Sequence, residues 1–138
     1  MIQFVPLKAE HILAMGDVLD VMGQITPDLA GDLEEIGGVA AIDGHEVLVV
    51  AGVMTQWRGV GLAWCFLSRR WKKHARAISS EINRYLDNAD FARIETAVRV
   101  DFERGKGWAK MLGFELETPL ARKWGPDGSD YSIFVRVK

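Results

Sequence analysis

A chain of 138 residues, 49% of them hydrophobic, has room for one domain, residues 1–138, and enough apolar content to bury a core of its own. Its 17 basic and 19 acidic residues leave a net charge of −2, so no global field draws it to nucleic acid or an anionic membrane, and any basic site must be local. Cys65 is the only cysteine, which excludes an intrachain disulfide and a paired-thiol metal site and fits a reducing, cytoplasmic setting.

The N-terminus shows no charged leader before an apolar run, and no stretch approaches the ~20 apolar residues of a membrane span, so the chain is expected to be soluble and unprocessed. His11, His45 and His74 share no ligand spacing, and no metal site is expected.

Ile2–Pro6 alternates weakly and reads as a first strand. From His11 to Met22, apolar residues fall at Ile12, Met15, Leu19 and Met22, the spacing of one helix face. Thr26-Pro27-Asp28 then starts a second helix: the hydroxyl can cap, proline suits the first turn, and aspartate complements the helix dipole. Leu29, Leu33 and Ile36 give that helix its buried stripe. Gly37-Gly38 breaks the chain, VAAID begins a strand, and Asp43-Gly44 is a hairpin pair tolerant of positive φ. GHEVLVVAGVMTQW supplies the next strand.

QWRGVG, Gln56 to Gly61, has the spacing of a phosphate-cradling loop. The residues after it, LAWCFL, put Leu62, Trp64 and Phe66 on one face of a strand and do not begin a helix. Gly59 and Gly61 are therefore expected to turn a hairpin. The convincing helix starts near Trp71, with Trp71, Ala75, Ile78, Ile82 and Tyr85 in phase and Ser68 as its cap, give or take a residue or two. FARIETAVRV alternates as a strand. Asp101 is expected to cap a helix through Trp108, Met111 and Leu112, closed by Gly113. Two final strands flank the turn GPDG.

Two local features call for a reason. Arg69, Arg70, Lys72, Lys73 and Arg76 crowd the start of a helix, the end where the dipole disfavours positive charge by roughly 0.3–1 kcal/mol per exposed residue. An anion there would relieve the strain, although a solvated helix face is the plain alternative. Gly105 and Gly107 each cost a helix interior about 1 kcal/mol relative to alanine, so either the helix starts late or something approaches its backbone closely.

The succession of strand, two helices, three-strand meander, helix, strand, helix and two strands is a mixed sheet flanked by helices. With MLGFELE closing a helix and opening a strand, it resembles the GCN5-related N-acetyltransferase (GNAT) superfamily. It is similar in particular to short GNAT-like proteins of bacteriophages, through Trp108, Lys110, Leu112, Gly113 and Phe114 followed by Gly125, Pro126, Asp127 and Gly128. The resemblance implies an α+β fold: a central mixed, mostly antiparallel sheet with about four helices. It also implies acetyl-CoA as cofactor, an amine as acceptor, and a pyrophosphate seated on backbone amides where a helix begins.

On that register the cofactor site is Cys65, Phe66, Leu67, Ser68, Arg69 and Arg70, with Glu95 or a water as catalytic base. The family's phosphate loop also matches Arg104 to Ala109, but too few residues remain beyond it for the elements still due. The expected phosphate position carries no glycine, and Ala109 and Phe102 stand where the family often has a tyrosine and an asparagine. Three readings are open: an acetyltransferase, a catalytically inactive fold with a structural, virion-assembly or interaction role, and, more weakly, a nucleic-acid module built on the basic helix start.

Overall fold

The computed structural model describes residues 1–15, 18, 19 and 25–138. Among them, strands β1 (Ile2–Pro6), β2 (Val18–Leu19), β3 (Val39–Asp43), β4 (Glu46–Trp57), β5 (Val60–Ser68), β6 (Arg93–Arg99), β7 (Glu115–Ala121) and β8 (Tyr131–Val137) alternate with helices α1 (Ala9–Ala14), α2 (Pro27–Ile36), α3 (Ala75–Asn88) and α4 (Glu103–Met111). Hydrogen bonding orders the strands β1-β3-β4-β5-β6-β8-β7, with β2 pairing to β5 off that path. The β5–β6 pair is parallel. The other pairings described are antiparallel. This is the mixed, mostly antiparallel sheet with four helices that the sequence leads one to expect.

The chain divides into two compact units, Met1–Met54 with Ala63–Ile78, and Thr55–Leu62 with Ser79–Lys138. In the first, Leu7, Ile12, Met15, Ala30, Leu33 and Val50 belong to one buried apolar cluster, against which Trp64 and Phe66 pack. Every residue of β4 from Val47 to Val53 is buried, so the strand is covered on both faces and reads as a continuous apolar run rather than an alternation. Thr26 Oγ1 accepts the Leu29 N–H at 3.1 Å, the expected cap of α2. Gly38 enters β3 where an added Cβ would lie 2.3 Å from the Ala51 carbonyl oxygen, so a side chain there would collide with backbone.

Helix one differs from expectation. It runs only from Ala9 to Ala14, with the His11 ring nitrogen accepting the Lys8 N–H at 3.0 Å. Ile12 and Met15 are buried as expected, but Leu19 lies in β2, paired with Leu67. Met22 lies outside the described residues. Ile36, assigned to the buried stripe of α2, is exposed in the last position of that helix.

In the second unit, β8 pairs with β6 along its whole length, Arg93 opposite Val137 through Arg99 opposite Tyr131, and Phe134 is its most buried large side chain. The Asp101 cap is not formed: Phe102 stands at the helix start without a side-chain hydrogen bond, and α4 begins at Glu103. Met111 is exposed, while Leu112, one position on, is buried. Gly113 ends the helix with φ +82, the left-handed geometry that favours glycine. An added Cβ on Gly105 would lie 2.4 Å from the Phe102 ring and 3.0 Å from Val98, which accounts for that glycine; Gly107 faces open space.

Candidate functional site

The two glycine strings are not phosphate loops. Arg58-Gly59 is the two-residue turn between β4 and β5, and Gly59 has φ +80. Gly61 is a buried residue of β5, correcting its assignment to the turn. Arg104 to Ala109 lies within α4 rather than in a loop ahead of it, and its amides from Lys106 on are taken by intrahelical bonds, the first from Lys106 N–H to the Phe102 carbonyl at 3.1 Å.

The strand-to-helix crossing falls at Ser68, as the pattern of LSRRWKK suggests. There β5 gives way to one turn of tight 3-10 helix, Trp71–His74, which leads into α3. Ser68 is not a helix cap. It is the buried last residue of β5, and its hydroxyl accepts the Arg70 N–H at 3.2 Å, fixing the bend. Of the residues assigned to the cofactor, Leu67 and Ser68 are buried, Phe66 is half-buried, and Cys65, Arg69 and Arg70 are exposed. Phe66 leans on Trp64, with ring centroids 5.7 Å apart at 54°.

Three features decide what this stretch can bind. The first is strand pairing. β5 and β6 pair only at Val60–Arg93, Gly61–Ile94 and Leu62–Glu95. Beyond Leu62, β5 continues to Ser68, where β2 pairs with Leu67 and Ser68. The residues between these two ladders are Ala63 to Phe66.

The second is charge. Five basic residues lie between Arg69 and Arg76, yet two groups of this turn are tied to carboxylates of the β3–β4 hairpin. Arg70 Nη1 donates to Glu46 Oε2 at 2.7 Å, and His74 Nε2 lies 3.1 Å from Asp43 Oδ2. The His74 contact, followed by the N-terminal ammonium, holds the Asp43 carboxyl below its ordinary range. Sequence reasoning missed both acids. The signal was there, since Asp43 and Glu46 bracket a tight turn and so project near one another, but nothing in the sequence says that this turn faces the basic one.

The third is reactivity. Cys65 is in contact with solvent, yet the protein crowded about it pushes its thiol up to about 12 by desolvation. Solvent contact moderates that rise without reversing it. The group is a neutral thiol at physiological pH, suited to packing and not to nucleophilic attack.

Glu95 lies on β6 in the last rung shared with Leu62. Its Oε2 accepts from Arg93 Nε at 3.1 Å, and the same guanidinium makes a two-pronged contact with Glu117. Glu117, with Arg93 as the main cause, is held below the usual carboxylate range. Ala109 is buried and Phe102 half-buried, and as hydrocarbon side chains neither offers a proton donor.

No protein-family model matches the chain. No curated protein matches it in sequence. Solved structures do. Ard1 from Thermoplasma volcanium superposes with a TM-score of 0.82 at 13% identity, covering 99% of this chain and 97% of that one. The ribosomal-protein-S18-alanine N-acetyltransferase of Escherichia coli gives 0.77 at 13% identity, over 99% and 94% of the two chains. A GNAT superfamily phosphinothricin acetyltransferase from Sinorhizobium meliloti, solved in complex with AcCoA, gives 0.76 at 17% identity, over 99% and 88%. The chain therefore has the GNAT fold. Identities this low carry the fold and nothing finer. Among the described residues, no helix is long and apolar enough to cross a membrane.

Proposed function

We propose that the chain binds an acyl coenzyme A, with acetyl-CoA the simplest case, and transfers the acyl group to an amine. The observation that carries this reading is the early end of the β5–β6 ladder at Leu62–Glu95, beyond which the strand runs on into a basic bend. The residues present fit such a cofactor in part. Backbone groups of β5 between Trp64 and Phe66 would hold the pantetheine arm by strand-like hydrogen bonds. Arg69 and Arg70, with the amides after Ser68, would take the phosphates. The bound cofactor supplies an activated thioester.

The protein's own part is to orient and to move a proton. Glu95 would accept the proton of the amine once its carboxylate is released from Arg93, and Arg93 would retain Glu117, which keeps the guanidinium neutralised. Cys65, as a neutral thiol, would line the arm without reacting.

A second reading is favoured by specific observations: a GNAT-fold protein that has lost the chemistry and serves a structural, virion-assembly or interaction role. β2 pairs with Leu67 and Ser68 beside the phosphate bend, the bend has no glycine, Arg70 is held by Glu46, and Ala109 and Phe102 offer no acid. One assay divides the readings. With acetyl-CoA and a panel of primary amines and peptide N-termini, release of free coenzyme A thiol above the uncatalysed rate supports transfer. Saturable binding without thiol release supports the second reading, and absence of binding up to millimolar acetyl-CoA removes the first altogether.

A further inference from the structure

We propose that a cavity in the second unit, remote in sequence from the cofactor stretch, binds a free α-amino acid with an apolar side chain, of about the size of leucine. The cavity measures about 270 Å³. That is just under the roughly 300 Å³ at which pockets for drug-sized ligands begin, so it suits a compact metabolite and not a coenzyme. Leu86, Phe91, Ile94 and Val135 give it apolar walls.

Four charged side chains complete the lining, Asp87, Glu115, Arg136 and Lys138, the last donating its ammonium to the Ala89 carbonyl. Arg136 donates through Nη2 to Asp87, and its Nη1 is buried with no hydrogen-bond partner. An orphaned charged donor is costly, on the order of 1–3 kcal/mol or more. The guanidinium sits where it does because position 113 is glycine: an added Cβ there would lie 3.1 Å from Arg136 Nε. A carboxylate entering the cavity would supply the missing acceptor after a small turn of the side chain. Asp87 can accompany that turn, because its side chain is 64% exposed.

Glu115 also lines the cavity, and while its backbone is in the β7–β8 ladder opposite Val135, its side chain has no hydrogen-bond or ion-pair partner among the described residues. It is placed to take a ligand ammonium. Two carboxylates, Asp87 and Glu115, and two cations, Arg136 and Lys138, line the cavity, so its side-chain charges balance and a phosphate or dicarboxylate would bring an excess of negative charge. A ligand carrying one carboxylate, one ammonium and an apolar body matches the donor, the acceptor and the walls together.

The test is a titration of the full chain with L-leucine, monitored by amide NMR and calorimetry, beside two half-ligands, 4-methylpentanoate and 3-methylbutylamine. The expected result is saturable binding of leucine in the millimolar range or tighter, shifting the amides of Phe91, Gly113 and Val135. Each half-ligand should bind at least about tenfold more weakly, a loss of roughly 1.4 kcal/mol. Glu115→Gln, a change at an exposed strand end that leaves the fold intact, should abolish the preference for leucine over 4-methylpentanoate. Arg136→Lys should weaken leucine and 4-methylpentanoate alike. The proposal is overturned by any of four results: no saturable shift with leucine, shifts outside these residues, half-ligands that bind as well as leucine, or a Glu115→Gln protein that keeps the preference.

Discussion

Replacing Glu46 with glutamine frees Arg70 for an incoming phosphate, and the contact itself sets the size of the effect. The pair is 2.7 Å long, but the Arg70 side chain is 74% exposed and that of Glu46 36%. An ion pair this open contributes roughly 0–1 kcal/mol. A phosphate oxygen must displace the carboxylate before it can use the same guanidinium, so Glu46→Gln is expected to tighten acetyl-CoA binding by up to about fivefold. Arg70→Ala acts in the opposite sense. It removes a charge-assisted hydrogen bond worth roughly 1.5–3 kcal/mol, less the roughly 0–1 kcal/mol pair that had to be broken, for a net weakening of about 2–150-fold. Calorimetric titration of both single variants and the double variant closes the cycle. In the Arg70→Ala background, Glu46→Gln should lose most of its effect, because no guanidinium remains to be freed. Equal gains in both backgrounds, or a Glu46→Gln protein that binds no better than the parent, would refute the competition.

Three further outcomes are expected. Gly38→Ala forces a Cβ to within 2.3 Å of the Ala51 carbonyl oxygen, and urea unfolding should show a loss of about 1–3 kcal/mol; a loss under about 0.5 kcal/mol would mean that β3 and β4 yield freely there. The Asp127 carboxyl, held by the Ser129 hydroxyl and amide and then by Arg99, has a pKa lowered from 3.8 to about 2. Its contribution is therefore present above about pH 4 and lost as pH falls through about 2, so the stability gap between the parent and Asp127→Asn should close across that window; a gap that stays constant with pH contradicts the reading. Cys65 should alkylate slowly with iodoacetamide at pH 7, its rate still rising with pH above about pH 9, whereas a plateau near pH 8.5 would indicate an ordinary thiol.

Where the sequence was legible, one local rule sufficed. Thr26-Pro27-Asp28 caps a helix whatever surrounds it, Arg58-Gly59 makes a tight turn because glycine tolerates φ +80, and alternation alone separates the strand LAWCFL from a cofactor helix. The misses have the opposite character. Leu19 continues a helical stripe in sequence but lies in β2, paired with Leu67 of a strand far along the chain; tertiary pairing overrode local periodicity. Met111 and Leu112 both read in sequence as the apolar side of α4, yet only Leu112 is buried, because adjacent positions at a helix end point in widely different directions and hydrophobicity cannot tell which of the two faces inward.

At the candidate site, the basic cluster and the crossing at Ser68 could be read from the chain. The carboxylates that meet the cluster come from a hairpin brought to it only by the fold, whereas the Arg93 that occupies Glu95 stands two residues before it on the same strand. Gly105 stands between these cases: the sequence marks it as anomalous in a helix, and only the fold supplies the Phe102 ring that requires it.

The central claim is that β5 is the track for an acyl coenzyme A, and amide hydrogen exchange with and without saturating acetyl-CoA tests it most directly. Protection is expected to rise from Trp64 through Arg70 and to leave the β7–β8 hairpin unchanged. Exchange that is unaltered along β5 at millimolar acetyl-CoA, or protection confined to other strands, would contradict it.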